Sequence, residues 1–323
     1  MSLPLPKNKI LNFISSHKNI YIIEELEPFI EEYIRSWGVN NIIGKEKITN
    51  IGELSPEVVA KGLKNINPPQ DFKNEIDVIP RPPLMCPGCP HTGLYYVLRK
   101  LKLTVTGDIG CYTLGTLPPF SALDTTFCMG AGIGNAFGMS IALKNDTVAV
   151  IGDSTFLHAG IPSLIDIVYN KGFITVIICD NKTTGMTGHQ DHPGSGFTIK
   201  KEKTYAIDYK KLVEAVGIKF VKKVDPHNLK EMEQIVKEAI SLNEPAVIIS
   251  ERPCAMLPQV RYAKHNVYSI NKENCTGCKV CYRIGCPAMD RSGDYPEIDI
   301  DRCTGCTLCV QLCKFDAIKV MKN

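Results

Sequence analysis

The central part of the chain alternates continuous apolar segments with segments whose apolar positions recur at helical spacing. LTVTGD, TVAVIGD, FITVIICD and AVIIS predict strands, and the stretches between them predict helices near residues 130–143, 160–170, 208–216 and 228–242. Continuous apolar strands separated by helices are typical of a parallel sheet covered on both faces. We therefore expect an α/β domain over residues 84–260, with ligands bound at the carboxyl ends of its strands.

The two flanking regions follow different patterns. Residues 1–66 contain one predicted strand, NIYIIEE, and one predicted helix, LEPFIEEYIRSWG, which is too little to close a core, so we expect a partial α/β segment there. The Pro-rich stretch over 67–83 is typical of a linker. Residues 262–323 carry two cysteine-rich repeats, NCTGCKVCYRIGCPAM and RCTGCTLCVQLCKFDAI, which predict a separate small domain.

Composition narrows the class of protein. The 323 residues are 44% hydrophobic and carry a formal charge of only +3, with the basic residues scattered, so nucleic-acid binding has no support. No apolar run is long enough for a membrane helix and the first residues lack the apolar core of a secretion signal, so we expect a cytoplasmic protein without membrane contact. Fourteen cysteines in a reducing compartment then indicate metal or cluster ligation rather than disulfides.

The carboxyl-terminal cysteines have the spacing of iron-sulfur ligands. In each repeat three cysteines separated by two residues can reach three corners of a [4Fe-4S] cubane, and the remote fourth cysteine ligates the other cluster. This spacing predicts one cluster on Cys275, Cys278, Cys281 and Cys313, and a second on Cys303, Cys306, Cys309 and Cys286. Zinc knuckles are the alternative, although they usually show separated pairs rather than triplets.

The repeats resemble bacterial two-cluster ferredoxins, which implies a ferredoxin-like α+β domain. There are two departures from that pattern. Four residues instead of three separate Cys281 from Cys286, and Lys314 stands where a proline would follow Cys313. Neither departure removes a ligand.

Two neighbouring predicted strands end in oxygen-bearing side chains. VIGDSTF places Asp153 at one strand end and VIICDNKTTG places Asn181 at the next, and a parallel crossover can bring the two ends together. The Asp153 carboxylate, the Asn181 amide oxygen and the Thr183 backbone carbonyl would suit Mg²⁺ and leave places for a diphosphate. The alternative is that these residues are ordinary turn formers at strand ends.

This arrangement resembles the thiamine diphosphate motif, Gly-Asp-Gly followed by Asn-Asn. Here the motif has the form Gly152-Asp153-Ser154 and Asp180-Asn181. The glycine-rich stretch from Met129 and Gly130 to Gly138 would let its backbone approach the cofactor or the sheet closely, and close helix packing is the alternative explanation for it.

Four further motifs, CPGCPHTG, GDIGCYTLG, GDSTFLHAGIPSL and TGMTGHQDHPGSG, stand before the ferredoxin-like repeats. Together they resemble the alpha subunits of indolepyruvate:ferredoxin oxidoreductases, members of the 2-oxoacid:ferredoxin oxidoreductase family. The resemblance implies oxidative decarboxylation of aryl 2-oxo acids to acyl-coenzyme A, with thiamine diphosphate and Mg²⁺ as cofactors and electrons passing through iron-sulfur clusters to ferredoxin.

The resemblance also implies a third cluster between the thiamine site and the ferredoxin-like domain. The positions that match its ligands are Cys86, Cys89, Cys111 and Cys254. The remaining Cys128 and Cys179 lie in apolar segments and are expected to be core residues. A redox dithiol of the thioredoxin kind is the alternative for Cys86 and Cys89.

Four histidines are expected in loops near the cofactor edge. We predict catalytic roles for His91 and His189, while for His158 and His192 a surface or loop-bracing role is favoured. Thr187 and Gln190 belong to the same loop as His189.

The family's pyrimidine-binding domain, which supplies a cofactor-activating glutamate, has no counterpart in the sequence. Glu24, Glu25 and Glu27 lie in the segment that matches the family's intervening region and are interpreted as solvated helix-start residues. We therefore expect a beta subunit as a partner chain. The glutamate is expected either on another chain that carries the pyrimidine-binding domain or on a longer polypeptide of which this sequence is a fragment. Ferredoxin, coenzyme A and the 2-oxo acid are the further expected partners.

Two other functions remain open from the sequence. The chain could be an electron-transfer or binding module with a vestigial thiamine site, although the intact Asp153 and Asn181 argue against this. A non-oxidative thiamine decarboxylase is disfavoured because such an enzyme has no use for clusters.

Overall fold

The computed structural model describes residues 4–64, 80, 82–144 and 146–321. Its contacts divide the chain into two compact units, Met1–Pro80 and Arg81–Asn323. The linker predicted over 67–83 falls mostly on residues outside the described ranges. The domain limits drawn from the sequence remain predictions.

The first unit is a small α/β segment with an isoleucine-rich core. Its elements are α1 (Lys7–Ser15), β1 (Ile20–Tyr21), α2 (Phe29–Arg35), β2 (Ile42–Ile43) and α3 (Pro56–Lys64). Strands β1 and β2 pair in parallel, and the buried side chains of Ile14, Ile20, Ile34 and Ile42 pack together. The expectation that this region contains too little to close a core is therefore corrected, because helix α1 and strand β2, which the sequence did not predict, complete a small one.

The second unit is built on a six-stranded parallel sheet. Its strands are β3 (Thr104–Gly107), β4 (Thr125–Thr126), β5 (Thr147–Gly152), β6 (Thr175–Asp180), β7 (Phe220–Val224) and β8 (Ala246–Glu251). The strand order is β4-β3-β5-β6-β8-β7, and every neighbouring pair is parallel. All six residues of β5 and of β6 are buried, as expected for strands covered on both faces. The predicted α/β fold is confirmed.

Helices cover both faces of this sheet. They are α4 (Pro90–Leu101), α5 (Ala131–Leu143), α7 (Ile161–Tyr169), α8 (Tyr209–Ala215) and α9 (Leu229–Ile240), and the short helices α6 (Asp153–Thr155) and α10 (Pro258–Arg261) follow strands β5 and β8. Alternate strand residues face opposite layers. Val148 and Val150 belong to the core shared with α4 and α9, whereas Ala149 and Ile151 belong to the core shared with α5, α7 and α8.

The elements of the sheet domain that the sequence pattern missed include strand β7 and helix α4. Strand β7 lies at the sheet edge and exposes Lys222 and Lys223, which interrupt its apolar run and hide the strand signal. Helix α4 begins directly after the Cys86–Cys89 stretch, with Pro90 as its first residue. Proline is well suited to that position because it lacks the N–H that would otherwise be unsatisfied.

The carboxyl-terminal region is a small α+β structure. Its elements are β9 (Tyr268–Ile270), β10 (Met289–Asp290), β11 (Glu297–Ile298), α11 (Leu308–Leu312) and β12 (Ile318–Val320), with a 3₁₀-helix at Val280–Ile284. Strands β9 and β12 pair antiparallel, as do β10 and β11. Ile284, Leu308 and Leu312 are part of the same core as α4 and α9, so this region packs against the sheet domain within the second unit.

Within the described ranges, no helix combines the length and apolar character needed to cross a membrane.

Candidate functional site

Asp153 and Asn181 meet at the carboxyl edge of the sheet. Asp153 follows strand β5, and Asn181 follows the neighbouring parallel strand β6. The Asn181 N–H donates to Asp153 Oδ2 over 3.1 Å. The Ser154 N–H donates to Asp153 Oδ1 over 2.7 Å. Both side chains are buried. Two backbone N–H groups therefore bind the two carboxylate oxygens of Asp153 and hold its side chain in place.

Asn181 is held in a similar way from its other side. The Thr183 N–H donates to Asn181 Oδ1 over 3.1 Å, which sets the amide plane. Asp153, Asn181 and Thr183 all line one cavity of about 80 Å³. Carboxylate and amide oxygens are the donors that Mg²⁺ prefers, so these residues fit a magnesium ion with a diphosphate.

Most of the predicted cofactor-binding residues line this cavity. They are Met129, Gly152, Asp153, Ser154, Asn181 and Thr183. Gly130 is not among the lining residues. It caps α5 with φ of 89°, and its N–H donates to Asp108 Oδ2 over 2.5 Å, so it lies behind the cavity wall.

The sequence interpretation missed Asp108 and Tyr112. Asp108 is fully buried and accepts a hydrogen bond from the Tyr112 hydroxyl as well as from the Gly130 N–H. Burial raises the pKa of Asp108, while the bonds from Tyr112 and Gly130 oppose that shift. The Tyr112 ring lies against Gly152, where an added Cβ would come within 2.7 Å of the ring. The sequence signal that could have identified Asp108 is its position as the polar residue at the end of the predicted strand LTVTGD.

His91 lies next to Asn181, and His192 lies next to Asp153, the two candidate metal ligands. His91 is in helix α4 rather than a loop, and its Nε2 is 3.5 Å from Asn181 Nδ2. Burial lowers the pKa of His91 to about 4, with the nearby Asp153 charge opposing. His192 is also buried, and its Nε2 lies 3.2 Å from Asp153 Oδ2. The surface position allowed for His192 is therefore wrong, whereas a loop-bracing contact is present, because the Gly194 N–H donates to His192 Nδ1 over 3.1 Å.

The other two histidines lie elsewhere. His189 Nε2 is 3.8 Å from Cys254 Sγ, so this histidine contacts a predicted cluster ligand, and it does not line the cavity. His158 is in a π-helical turn, Phe156–Gly160, rather than in the predicted loop. Thr187 lines the cavity and donates to Gln190 Oε1 over 2.7 Å. The predicted catalytic roles of His91 and His189 remain predictions.

The structure brings Cys86, Cys89, Cys111 and Cys254 together beside the cavity. Burial, together with the charges of the other three thiols, raises the pKa of Cys89. Cys111 lines the cavity. The Cys254 N–H donates to the carbonyl of Asn181 over 3.0 Å. A cluster on these four thiols would therefore be joined to the cofactor site by one backbone hydrogen bond.

The two remaining cysteines differ from each other. Cys179 is buried, as expected, and lines the cavity. Cys128 is exposed, so its assignment to the core is wrong. It follows the two-residue strand β4 at the sheet edge, beside the exposed Phe127.

The carboxyl-terminal cysteines form the two groups that crossed ligation requires. One cavity is lined by Cys275, Cys278, Cys281 and Cys313, and another by Cys286, Cys303, Cys306 and Cys309. Burial and the charges within each group raise the pKa values of Cys281 and Cys286 to about 11. Among the described residues, no three His, Cys, Asp or Glu side chains are arranged to hold a single metal ion.

Two family models match the chain. The thiamine pyrophosphate enzyme C-terminal TPP binding domain matches residues 108–250, and the 4Fe-4S binding domain matches residues 296–319. The first match contains Asp153 and Asn181, and the second contains Cys303, Cys306, Cys309 and Cys313.

Curated relatives align along nearly the whole chain. Indolepyruvate oxidoreductase subunit IorA of Archaeoglobus fulgidus is 38% identical over 99% of the chain and 55% of that protein. The subunits of the same name from Pyrococcus horikoshii and Methanothermobacter thermautotrophicus are each 36% identical, over 99% and 98% of the chain and 55% and 54% of those proteins. The chain is homologous to the indolepyruvate oxidoreductase IorA subunits. The resemblance noted in the sequence is thereby confirmed.

The chain spans about half the length of these IorA relatives. Among solved structures, a 2-oxoglutarate:ferredoxin oxidoreductase from Magnetococcus marinus matches with a TM-score of 0.49 and 20% identity, over 56% of this chain and 68% of that chain. A likeness at this level carries no argument about function.

Proposed function

We propose that this chain forms the thiamine- and cluster-bearing part of an oxidoreductase that converts an aryl 2-oxo acid, such as indolepyruvate, and coenzyme A to acyl-coenzyme A. Each turnover would release carbon dioxide, one proton and two electrons, and the electrons would pass through iron-sulfur clusters to ferredoxin. A beta subunit and a pyrimidine-binding domain, carried on this polypeptide or on a partner chain, would complete the enzyme.

The observation that carries this proposal is the direct contact between the two predicted centres. Cys254 donates its N–H to the Asn181 carbonyl over 3.0 Å, and Cys111 shares the cavity with Asp153. A decarboxylase that releases no electrons needs no thiols there. An electron-transfer module without thiamine needs no buried carboxylate and amide at the sheet edge.

Each residue group has a defined task in this account. Thiamine diphosphate supplies the chemistry that breaks the bond between the carboxylate and the 2-oxo carbon and makes two electrons available. Asp153, Asn181 and Thr183 would hold Mg²⁺ and thereby the diphosphate. Ile109, Met129 and Met186 give the cavity an apolar wall, which supports an aryl rather than a charged substituent on the substrate.

The electron route follows from the packing of the cysteine loops. The loop between Cys86 and Cys89 packs against Thr304, because a Cβ added at Gly88 would lie 2.3 Å from Thr304 Oγ1. Electrons would therefore leave the cluster beside the cavity for the Cys286, Cys303, Cys306 and Cys309 cluster. The remaining cluster, whose ligand Cys278 is exposed, would deliver them to ferredoxin.

Anaerobic assembly of the chain with its partner chains tests the proposal. We expect about twelve irons per chain, for three [4Fe-4S] clusters, and thiamine diphosphate binding that requires Mg²⁺. Asp153→Asn keeps the side-chain shape but removes the charge, and should lose the metal requirement together with most of the affinity. Full cluster content without thiamine affinity in the unmodified chain would instead indicate an electron-transfer module with a vestigial site.

A further inference from the structure

His192 stands out because it touches a candidate metal ligand without reaching the cavity. The cavity is lined by Asp153, Asn181 and Thr183, whereas His192 does not line it. The side chain is buried, and its Nε2 lies 3.2 Å from Asp153 Oδ2. His192 therefore approaches the carboxylate from outside the cavity, and any effect on a bound cofactor must pass through Asp153.

The hydrogen bonds around His192 fix which ring nitrogen carries the proton. The Gly194 N–H donates to His192 Nδ1 over 3.1 Å, so Nδ1 offers its lone pair. In the neutral ring the proton then resides on Nε2, the atom that faces Asp153. The loop itself is closed by Ser195, whose hydroxyl donates to the His192 carbonyl over 2.9 Å.

The Nε2–H has one evident acceptor. Its approach to Asp153 is close but not aligned as a hydrogen bond, and Nε2 has no other hydrogen-bond partner among the described residues. A buried N–H without an acceptor costs free energy, and the Asp153 carboxylate is the group within reach that can remove that cost. Metal-ligating carboxylates are commonly held by such an outer hydrogen bond.

We propose that His192 is a positioning residue that donates its Nε2–H to Asp153 and, together with the two backbone N–H groups that bind the same carboxylate, holds it toward the metal ion of the diphosphate site. This inference rests on the proposed thiamine function. It differs from the surface or loop-bracing role that the sequence favoured for His192.

Two substitutions of His192 distinguish the effect of the Nε2–H donor from the effect of the size of the ring. His192→Gln can place an amide N–H near the position of Nε2. His192→Asn can accept from the Gly194 N–H in place of Nδ1 but cannot reach Asp153. Ser195→Ala is the matched control, because it removes a hydrogen bond of the same loop without changing the donor to Asp153.

The probe is Mn²⁺ with thiamine diphosphate, titrated into the anaerobically assembled complex, with free Mn²⁺ followed by electron paramagnetic resonance. Such outer-shell partners typically contribute about tenfold to a hundredfold to metal affinity, so His192→Asn should weaken Mn²⁺ binding by that factor. His192→Gln and Ser195→Ala should stay within a few-fold of the unmodified chain. Iron content should be the same in all four proteins.

The results that would overturn the inference are distinct. Equal Mn²⁺ affinity in His192→Asn and the unmodified chain would show that His192 does not act on the metal site. Equal weakening in His192→Gln and His192→Asn would assign the effect to packing rather than to the donor. Absence of metal-dependent thiamine diphosphate binding in the unmodified chain would contradict the proposed function itself.

Discussion

At the residue scale, the site depends on backbone N–H groups that hold its oxygen donors in place. The N–H groups of Asn181 and Ser154 fix the Asp153 carboxylate, and the Thr183 N–H fixes the Asn181 amide. Asp153 and Asn181 could be predicted because residues at the ends of adjacent parallel strands must share one edge. His192 could not, since the burial of a loop side chain depends on how the whole loop folds.

His227 should make the stability of the protein depend on pH. This buried side chain lies with Nε2 3.2 Å from the Cys89 carbonyl, and burial, followed by the Arg252 charge, lowers its pKa to about 4. A folded-state pKa below the ordinary value of 6.5 means that the neutral form is favoured by folding. The stability that neutral His227 contributes to the folded protein is therefore fully present above pH 6.5 and is lost as the pH falls toward 4.

Denaturant unfolding at pH 7.5 and pH 5, under anaerobic conditions, checks this prediction. At pH 5 the unfolded chain binds a proton at His227 whereas the folded chain largely does not, so the free energy of unfolding should be about 2 kcal/mol lower than at pH 7.5. His227→Gln retains a donor for the Cys89 carbonyl but cannot titrate. The decrease in its free energy of unfolding between pH 7.5 and pH 5 should therefore be smaller by that amount. The same loss in both proteins would show that His227 is not responsible.

At the element scale, helix α5 shows how a glycine-rich sequence is used. Gly132 lets the helix approach β3, because an added Cβ would lie 3.0 Å from the Gly107 Cα. Gly130 has φ of 89°, and its Cβ would lie 2.5 Å from that of Ala159 in the π-helical turn. Gly132 thus shows the close approach to the sheet that the sequence suggested, and Gly130 shows the alternative, close packing between helical segments.

Two alanine substitutions in this glycine stretch should have opposite effects. Gly130→Ala requires a left-handed backbone and collides with Ala159, so it should destabilise the protein by about 1–3 kcal/mol. Gly138 has nothing within 4 Å of its added Cβ, so Gly138→Ala should be neutral or stabilise by up to about 1 kcal/mol. Equilibrium unfolding of both variants gives the comparison, and similar destabilisation by both would contradict the assigned contacts.

The strands illustrate what an apolar pattern can predict. Strands β5 and β6 are buried on both faces and therefore have unbroken apolar sequences. Strand β7 lies at the edge, where Lys222 and Lys223 face solvent, and its sequence resembles a loop. The apolar pattern thus predicted the central strands of the sheet and missed its edge strands.

At the scale of the whole second unit, the carboxyl-terminal region shares a core with the sheet domain. Ile284, Leu308 and Leu312 belong to the core beneath α4 and α9. The cysteine repeats predicted the composition of this region, but not its packing, because α4 was absent from the sequence interpretation. The shared core brings the carboxyl-terminal cysteines to the loop that carries Cys86 and Cys89.

Iron content should distinguish the predicted ligands from the other cysteines. Cys254→Ser should lower the iron content by about four of twelve, because it removes a ligand of the cluster beside the cavity. Cys128→Ser, at an exposed cysteine outside every predicted group, should leave the iron content unchanged. Iron and sulfide determination after anaerobic assembly gives both values, and unchanged iron in Cys254→Ser would contradict the assignment of that cluster.

The most direct test of the central claim is whether substrate alone reduces the clusters. Indolepyruvate and coenzyme A would be added anaerobically to the assembled complex with thiamine diphosphate and Mg²⁺, without ferredoxin, and followed by electron paramagnetic resonance. We expect signals of reduced [4Fe-4S] clusters that disappear when thiamine diphosphate is omitted or Asp153 is replaced by asparagine. Release of carbon dioxide while every cluster stays oxidised would rule out electron transfer from the thiamine site to the clusters.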